Sequence, residues 1–447
     1  MTAPGSGLGQ EPPAQGLAAR RQAVAALSHV LGAGKPLESL PARPVSAEPL
    51  EARDAALSRL IIATTLRRLG QLEDVLARFL SKPLPGEAVS ARMILLSGAA
   101  QLLFVGTPAH AAIDLSVRLA REAAHSSRFS GLINAVLRKV AAEGPAIVAA
   151  QDGPRLDTPP WLWKRWQRAY GPDTGRAIAE ANLCEAALDI TVKADAKGWA
   201  ERLGGLVLPT GTVRLKSKGR IDDLPGFAEG AWWVQDAAAA LPARLLDPGP
   251  GSRIADLCAA PGGKTAQLAA AGAVVTAVDR SERRLAALGR NLARLGLTAE
   301  TVAADAVSWR PAQAFDAILL DAPCLATGTI RRHPDLPHLK RESDLAGLAE
   351  TQALLLEAAL TMLRPGGRLV YCTCSLEPEE GPQQISRLLD RHKDIAVLPI
   401  AAGENGIEAA WLTPEGFLRT LSFHLRREPA ELSGLDGFFA ARLVKHD

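Results

Sequence analysis

The stretch that decides the fold is DLCAAPGGKTAQLAA, residues 256–270. It begins as a buried strand, passes through a Gly-Gly turn and ends as a helix, which is the geometry in which backbone approaches a cofactor closely. Lys264-Thr265 resembles the end of a phosphate-binding P-loop, but that motif needs a glycine where this chain has Cys258. The Gly-x-Gly-x-x-Gly dinucleotide motif is also absent from the sequence.

Strand and helix patterns alternate around this stretch. The strand-like segments are RIADLCAA, AVVTAVD, AETVAAD, FDAILLDAP and GRLVYCTCS, and helical segments such as SERRLAALGRNLARLG separate them. Repeated strand–helix units predict a parallel, doubly wound sheet with helices on both faces. In such a sheet the first, fourth and fifth strands lie side by side, and ligands bind at their carboxyl ends.

Acidic residues follow the second and third of these strands. Asp279 is placed where a carboxylate can accept both hydroxyl protons of a ribose, and Asp305 is placed to face an adenine amino group. Each acid alone is more often a helix cap or a solvated charge. Together with the Gly-Gly turn, they indicate an adenosine-containing cofactor without a pyrophosphate, and S-adenosylmethionine is the first candidate.

Four of the five cysteines fall at the ends of the three neighbouring strands: Cys258, Cys324, Cys372 and Cys374. One interpretation is a soft-metal or iron–sulfur site, although no C-x-x-C spacing occurs. The other is covalent catalysis, in which a thiolate adds to C6 of a pyrimidine and makes C5 nucleophilic enough to take a methyl group. In the second case a protonated Asp321, in DAPC, can hydrogen-bond N3 of cytosine and stabilise the adduct.

The rest of the chain divides by composition and periodicity. We expect a flexible Gly/Pro-rich tail over residues 1–18, an all-helical domain over 19–150, a helical linker with a small α/β module over 151–240, and the sheet domain over 241–447. Residues 1–150 hold 16 Lys/Arg and 11 Asp/Glu, a net charge of +5 within a chain of net +3. This excess is a weak indication of nucleic-acid binding, because it also fits an ordinary solvated surface.

Composition also excludes several classes of protein. Five cysteines in 447 residues do not form a disulfide framework, which favours a reducing cytoplasm. The longest uncharged run, residues 93–113, contains Gly, Gln, Pro and His, so we interpret it as a buried helix and a loop and not as a membrane span. Three tryptophans between basic residues, in PWLWKRWQR, can stack on bases but more often pack in a core.

Four motifs resemble those of one known family: CAAPGGKT, DAPCLATGTIRRHPDL, LVYCTCSLEPEE and LDGFFAARL. The family is that of the RNA cytosine-C5 methyltransferases, and within it the bacterial RsmB (Sun/Fmu) enzymes that modify small-subunit (16S) ribosomal RNA. The segments LSGAAQLLFVGTPAHAAIDLSVRLAR and GLINAVLRKV look like the NusB-like helical RNA-binding domain of that family. The resemblance covers nearly the whole chain after the tail and implies a Rossmann-like class I methyltransferase domain.

The resemblance also implies roles for individual residues. Cys374 would be the nucleophile and Cys324 would help to release the methylated base, an assignment that the chemistry of the motifs alone leaves exchangeable. Asp321 would contact N3 of the base as a general acid, and no metal would take part. The residues that would line the cofactor and base pocket are Cys258, Ala259, Ala260, Pro261, Gly262, Gly263, Lys264, Asp279, Asp305 and Asp321. The chain departs from the family pattern at Leu325-Ala326, where a small or hydroxyl residue is common, and at Gly381, where the family usually has asparagine.

Chemistry at C5 and C6 requires that the target base be unstacked, and structured RNA read by loops and shape suits an appended basic domain. We therefore expect ribosomal RNA as the partner, S-adenosylmethionine as the cofactor, no DNA or membrane partner, and a monomer. The alternative is a non-catalytic RNA-binding protein of antitermination type that keeps a degenerate methyltransferase fold. Transfer of labelled methyl groups to RNA distinguishes the two.

Overall fold

The computed structural model describes residues 16–40, 50–122, 124–216, 220–247 and 249–446. The tail predicted over residues 1–18 lies outside this range except for its last three residues, and a helix begins at Leu17. The chain divides into two compact units. The first contains the residues up to Pro160 together with Pro334–Leu339, and the second contains Trp161–His333 and the residues from Lys340 onwards.

The first unit is helical, as its apolar periodicity predicts. The α-helices of its N-terminal part are α1 (Leu17–Leu27), α2 (Ala52–Arg67), α3 (Leu69–Phe79), α4 (Val89–Ala100), α5 (Ala109–Glu122), α6 (Ala124–Ser127), α7 (Ser130–Ala150) and α8 (Gly153–Leu156). In α3, Leu69, Leu72, Val75 and Leu76 recur on one face and are all buried. Helix α4 buries every residue from position 93 to 100 because it lies at the centre of this core.

The uncharged run at residues 93–113 is therefore a buried helix and the loop after it, as expected. It comprises α4 from Met93 onwards, one π-helical turn at Gln101–Val105, a left-handed Gly106 and the beginning of α5. None of the described helices combines the length and the apolar composition that crossing a bilayer requires.

A short segment from far along the chain completes the first unit. In Pro334–Leu339, the Asp335 carboxylate accepts a hydrogen bond from the Leu37 amide at 3.0 Å. The His338 ring donates from Nε2 to the Leu66 carbonyl at 2.8 Å, and burial lowers the pKa of His338. The sequence does not predict this docking, because nothing in the segment marks it as part of a helical core.

The second unit opens with α9 (Pro160–Tyr170) and α10 (Pro172–Asn182), followed by a small antiparallel sheet. The sheet comprises β1 (Leu188–Val192), β2 (Gly205–Val207), β3 (Val213–Leu215) and β4 (Trp232–Val234) in the order β2-β3-β1-β4, with α11 (Ala196–Arg202) between β1 and β2. These strands and α11 lie within residues 151–240, where the sequence predicts a small α/β module. A fully buried ion pair joins two of them, because both carboxylate oxygens of Asp189 accept hydrogen bonds of 2.7 Å from Arg214.

The rest of the chain forms the larger sheet and the helices around it, except for α15 (Leu336–Leu339), which belongs to the first unit. In chain order the elements are α12 (Leu241–Leu245), β5 (Arg253–Leu257), α13 (Gly263–Ala270), β6 (Val274–Asp279), α14 (Glu282–Leu295), β7 (Glu300–Ala303), β8 (Phe315–Asp321), α15, α16 (Asp344–Met362), β9 (Leu363–Thr373), α17 (Pro382–Arg391), β10 (Ile395–Val397), β11 (Leu418–Thr420) and β12 (Phe438–Lys445). The strand order is β10-β12-β9-β8-β5-β6-β7, and β11 pairs with β12.

The sheet confirms the doubly wound prediction and adds an antiparallel edge. Strands β7, β6, β5, β8 and β9 are parallel, and β5, β8 and β9 are neighbours as predicted. Strands β10, β11 and β12 make the sheet mixed, since β12 runs antiparallel to β9. Because Phe439, the second residue of β12, pairs with Thr373, β12 brings the segment before it to the carboxyl end of β9.

Candidate active site

The Gly-Gly turn lies between β5 and α13. Gly262 precedes α13 with φ 99°, and a Cβ at this position would lie 2.5 Å from Cγ of Leu288, so only glycine fits. Gly263 has more room, since the nearest neighbour of an added Cβ would be Gln235 at 3.6 Å. Cys258 begins the turn with φ 61°. Burial, followed by the charges of Asp321 and Asp279, raises the pKa of the Cys258 thiol to about 12, so this thiol stays protonated.

Asp279 and Asp305 have different surroundings. Asp279 ends β6 with 4% of its surface exposed, and its carboxylate accepts hydrogen bonds from the amides of Ala260 at 3.2 Å and Ser281 at 2.9 Å. It therefore ties the Gly-Gly turn to the second strand. Asp305 lies two residues beyond the end of β7, is exposed, and accepts a hydrogen bond from the Val307 amide at 2.9 Å.

Asp321 ends β8 and pairs with Lys264. The Lys264 Nζ lies 2.7 Å from one carboxylate oxygen of Asp321, and the Cys372 thiol lies 3.4 Å from the other. Burial alone would lower the pKa of Lys264, but the negative charge of Asp321 outweighs it, so the pKa is raised and the ammonium stays charged. Lys264 also lies over the Phe438 ring, 4.9 Å from its centroid. Sequence reasoning placed both residues in the pocket but missed this ion pair.

Cys374 and Cys324 are brought together by the turns after β9 and β8. Their sulfur atoms are 3.5 Å apart, well beyond the roughly 2.05 Å of a disulfide bond. The hydrogen bond to Cys374 and burial raise the pKa of Cys324 well above the usual cysteine value, so Cys324 keeps its proton and can donate it toward the Cys374 sulfur. Cys374 is partly exposed, and its carbonyl accepts a hydrogen bond from the Gly328 amide at 2.9 Å.

Cys372 has a different environment from the other two thiols. It is fully buried within β9, and burial together with the Asp321 charge raises its pKa well above the usual value. Within the described part of the chain, no group of three or more His, Cys, Asp or Glu side chains is arranged to hold a metal ion.

Glu380 is a structural residue of the site that sequence reasoning missed. Its buried carboxylate accepts hydrogen bonds from the Leu325 amide at 3.1 Å and from the Gln352 side chain at 3.0 Å. Its carbonyl accepts a further bond of 2.8 Å from the Tyr371 hydroxyl. Glu380 thus fixes the loop that carries Cys324 against β9. The sequence feature that could have identified Glu380 is its position six residues after Cys374.

The two departures from the family pattern have structural consequences. Leu325 is fully buried, and its amide is the one that Glu380 holds. At Gly381, an added Cβ would lie 2.7 Å from the Arg419 guanidinium and 3.1 Å from the Phe439 ring. Arg419 donates a hydrogen bond of 2.6 Å to the Ser375 carbonyl, next to Cys374. The missing side chain at 381 therefore leaves room for an arginine that supports the Cys374 turn.

The tryptophan-rich helix α9 supports the same turn from another side. Arg165 pairs with Glu379 at 2.6 Å and with Glu377, and the fully buried Trp166 donates from its ring to Glu377 at 3.3 Å. The interpretation of Trp166 as a packing residue is confirmed. Arg165 is committed to these carboxylates, so it does not offer a free cation to RNA.

Comparison with known proteins supplies the family context. Residues 243–444 match the family model described as 16S rRNA methyltransferase RsmB/F, and residues 17–142 match that of the NusB family. The chain is 39% identical to ribosomal RNA small subunit methyltransferase B of Vibrio cholerae over 393 residues, covering 84% of this chain and 90% of that protein. It is 40% identical to the protein of that name from Serratia proteamaculans over 392 residues, with the same coverages. Among solved structures, a methyltransferase homologue from Pyrococcus horikoshii matches 63% of this chain and 93% of its own, with 31% identity and a TM-score of 0.53.

Proposed function

Because this chain belongs to the family of ribosomal RNA small subunit methyltransferase B, we propose that it transfers a methyl group from S-adenosylmethionine to C5 of a cytosine in 16S ribosomal RNA. The observation that carries the proposal is the pair of thiols at the carboxyl end of the sheet, 3.5 Å apart, beside the ion pair of the buried Lys264 with the half-buried Asp321. A degenerate RNA-binding protein would have no use for this arrangement.

The residues around the Gly-Gly turn fit S-adenosylmethionine. Gly262 cannot carry a side chain, and the Asp279 carboxylate lies at the end of the adjacent strand. Beneath the turn, Oδ1 of the fully buried Asp256 has no hydrogen-bond partner among the described residues. We assign cofactor binding to Cys258, Ala259, Ala260, Pro261, Gly262, Gly263, Lys264, Asp279, Asp305 and Asp321. The bound cofactor supplies an electrophilic methyl group on a sulfonium.

The nucleophile in this proposal is Cys374. Its sulfur adds to C6 of cytosine, and the electron pair displaced from the C5–C6 bond makes C5 nucleophilic. Asp321 is ion-paired with Lys264 and must take up a proton before it can donate one to N3 as the general acid. The fixed charge of Lys264 stabilises the negative charge that develops toward N3. After methylation, water takes the C5 proton, and the C5–H electron pair re-forms the C5–C6 double bond. The S–C6 bond breaks at the same time, so that Cys374 leaves as a thiolate, and N3 returns its proton to Asp321. The Cys324 thiol donates a hydrogen bond to this departing sulfur and promotes release.

We assign RNA binding to the helical domain, residues 19–150, together with the linker and small module, residues 151–240, and catalysis to residues 241–447. The match to the NusB family supports the first of these assignments. The proposed substrate places the activity in the cytoplasm, and the proposal requires only one copy of the chain. It involves no DNA and no membrane.

Binding of the cofactor should raise the melting temperature of the purified protein. At a hundredfold excess over Kd, the ligand adds about 2.7 kcal/mol to the free energy of unfolding. We expect S-adenosylmethionine and its demethylated product to produce this shift and Asp279→Ala to reduce it. Because the comparison is between each variant with and without ligand, a lower baseline stability does not affect it. Equal stabilisation by NAD, or no shift at saturation, would contradict the cofactor assignment.

Charge reversal on the helical domain should weaken RNA binding. Arg138 and Lys139 are exposed neighbours on α7. Each phosphate contact contributes about 0.7–0.9 to the slope with which the logarithm of the binding constant falls against the logarithm of the salt concentration. Arg138→Glu/Lys139→Glu should lower the affinity for 16S ribosomal RNA and reduce that slope, measured by filter binding between low and moderate salt. Asp390→Lys, on the exposed face of α17, serves as a charge control. An unchanged affinity and slope in the double variant would remove α7 from the RNA-binding surface.

A further inference from the structure

An open groove lies outside the thiol pair, between residues 408–411 and 423–427 of the second unit. Its volume of about 360 Å³ falls within the roughly 300–1,000 Å³ typical of pockets for small organic ligands. The side chains that give it chemical character are those of Glu408, Trp411, Phe423, His424, Arg426 and Arg427.

Flat rings form one part of this groove. The rings of Trp411 and His424 are nearly parallel, with an angle of 11° and centroids 6.2 Å apart. Phe423 meets His424 edge-on at 5.0 Å. Trp411 is buried, whereas Phe423 and His424 are half-buried and present part of their surface to the groove. Such partly exposed rings are the platforms on which unpaired bases stack.

The protonation state of His424 gives the groove a hydrogen-bond donor. Burial lowers the pKa of His424 to about 4, so the ring is neutral near pH 7. Its Nδ1 lies 3.2 Å from the Leu421 amide and must accept that hydrogen bond. The proton therefore resides on Nε2, which can donate to a base oxygen or ring nitrogen. The exposed Glu408 carboxylate can accept from a base amino group.

Two arginines give the groove positive charge. Arg426 is exposed and Arg427 is half-buried, so both guanidinium groups can reach a phosphate. The loop that carries them is held in place, because Ser433 accepts a hydrogen bond from the Arg427 amide at 2.8 Å and donates one to its carbonyl at 2.9 Å. A fixed loop loses little conformational entropy on binding.

The groove is connected to the catalytic turn by hydrogen bonds. Arg331, which follows Cys324 in the chain, donates to the carbonyls of Ser433 at 2.9 Å and Ser422 at 3.4 Å. Gly437 donates to the Gly328 carbonyl at 2.8 Å, and Gly328 in turn donates to the Cys374 carbonyl at 2.9 Å. The segment that forms the groove therefore belongs to the same edge of the sheet as the thiol pair.

From these features we propose that the groove binds one unstacked nucleotide of the substrate RNA, flanking the target cytosine. The base stacks on the His424 ring with Phe423 along its edge, and its phosphate contacts Arg426 and Arg427. This proposal rests on the proposed function, since it assigns a second contact to the same RNA.

The test uses the full-length protein, a 16S ribosomal RNA transcript and labelled S-adenosylmethionine. His424→Ala should raise the KM for RNA by about five- to a hundredfold, the range expected for loss of one stacked base. Arg426→Gln/Arg427→Gln should also raise the KM, because phosphate contacts are lost. The kcat and the thermal shift caused by S-adenosylmethionine should be unchanged. Arg387→Gln, an exposed arginine on α17, is the matched control and should leave the KM unchanged. Cross-linking of 4-thiouridine-substituted RNA should map to residues 408–427 in the parent protein.

Several outcomes would overturn the inference while leaving the proposed function intact. They are a KM for RNA that neither variant changes, an equal increase in the Arg387→Gln control, or cross-links that map elsewhere, each with methyl transfer by the parent protein preserved. If the folded parent protein binds S-adenosylmethionine but methylates no ribosomal RNA, the proposed function itself fails. The two failures are therefore distinguishable.

Discussion

Replacing Cys324 with alanine should trap the protein on its RNA, whereas replacing Cys374 with alanine should abolish methyl transfer. In the first variant Cys374 can still attack C6 and C5 can still be methylated, but the thiol that hydrogen-bonds the departing sulfur at 3.5 Å is missing. The adduct should accumulate as a slowly migrating band on a denaturing gel. In the second variant no S–C6 bond can form, so we expect neither a band nor a labelled product.

Cys372→Ala is the matched control for this pair. Its thiol is fully buried and hydrogen-bonded toward Asp321, so we expect most of the activity to be retained and no trapped complex. The reverse pattern, with Cys374→Ala trapped and Cys324→Ala forming no complex, would assign the nucleophile to Cys324. A metal centre would instead appear as stoichiometric zinc or iron in the purified protein, lost on substitution of any of the four clustered cysteines.

Lys264→Met should lower the rate of methyl transfer by roughly 10²- to 10³-fold, the loss typical when one fixed stabilising group is removed from an active site. The ammonium lies 2.7 Å from Asp321 and is buried, so bulk solvent does not replace its charge. Methionine keeps most of the side-chain volume and therefore preserves packing. The measurement is a single-turnover rate with saturating S-adenosylmethionine and RNA, which separates chemistry from binding.

Lys393→Met is the control, because Lys393 is exposed beyond the end of α17 and, among the described residues, donates only to the Leu389 carbonyl. It should react at the parent rate. If Lys264→Met also stays within a few fold of the parent rate, Lys264 does not stabilise the transition state. If its ligand-induced thermal shift disappears, the lower rate comes from lost cofactor binding and not from lost stabilisation of the transition state.

The sequence predicted the parts of this protein that local patterns encode. Alternating strand and helix patterns gave the doubly wound sheet and the adjacency of β5, β8 and β9, because right-handed crossovers leave few ways to order such units. Apolar periodicity gave the helical unit and the buried α4. The strand ends brought Cys324 and Cys374 to one edge, and motif resemblance supplied the family.

The tertiary structure decided the features that depend on residues far apart in the chain. The antiparallel strand β12 lies beside β9, and Pro334–Leu339 belongs to the helical unit. No local sequence pattern indicates either arrangement. The ion pair of Lys264 with Asp321 joins residues 57 positions apart, and the hydrogen bond of Glu380 to Leu325 joins residues 55 apart. The proton on Cys324 is likewise set by burial and by the nearby Cys374 sulfur. Sequence fixes which chemical groups are available, but only packing sets the distances and the exclusion of water that determine their charge.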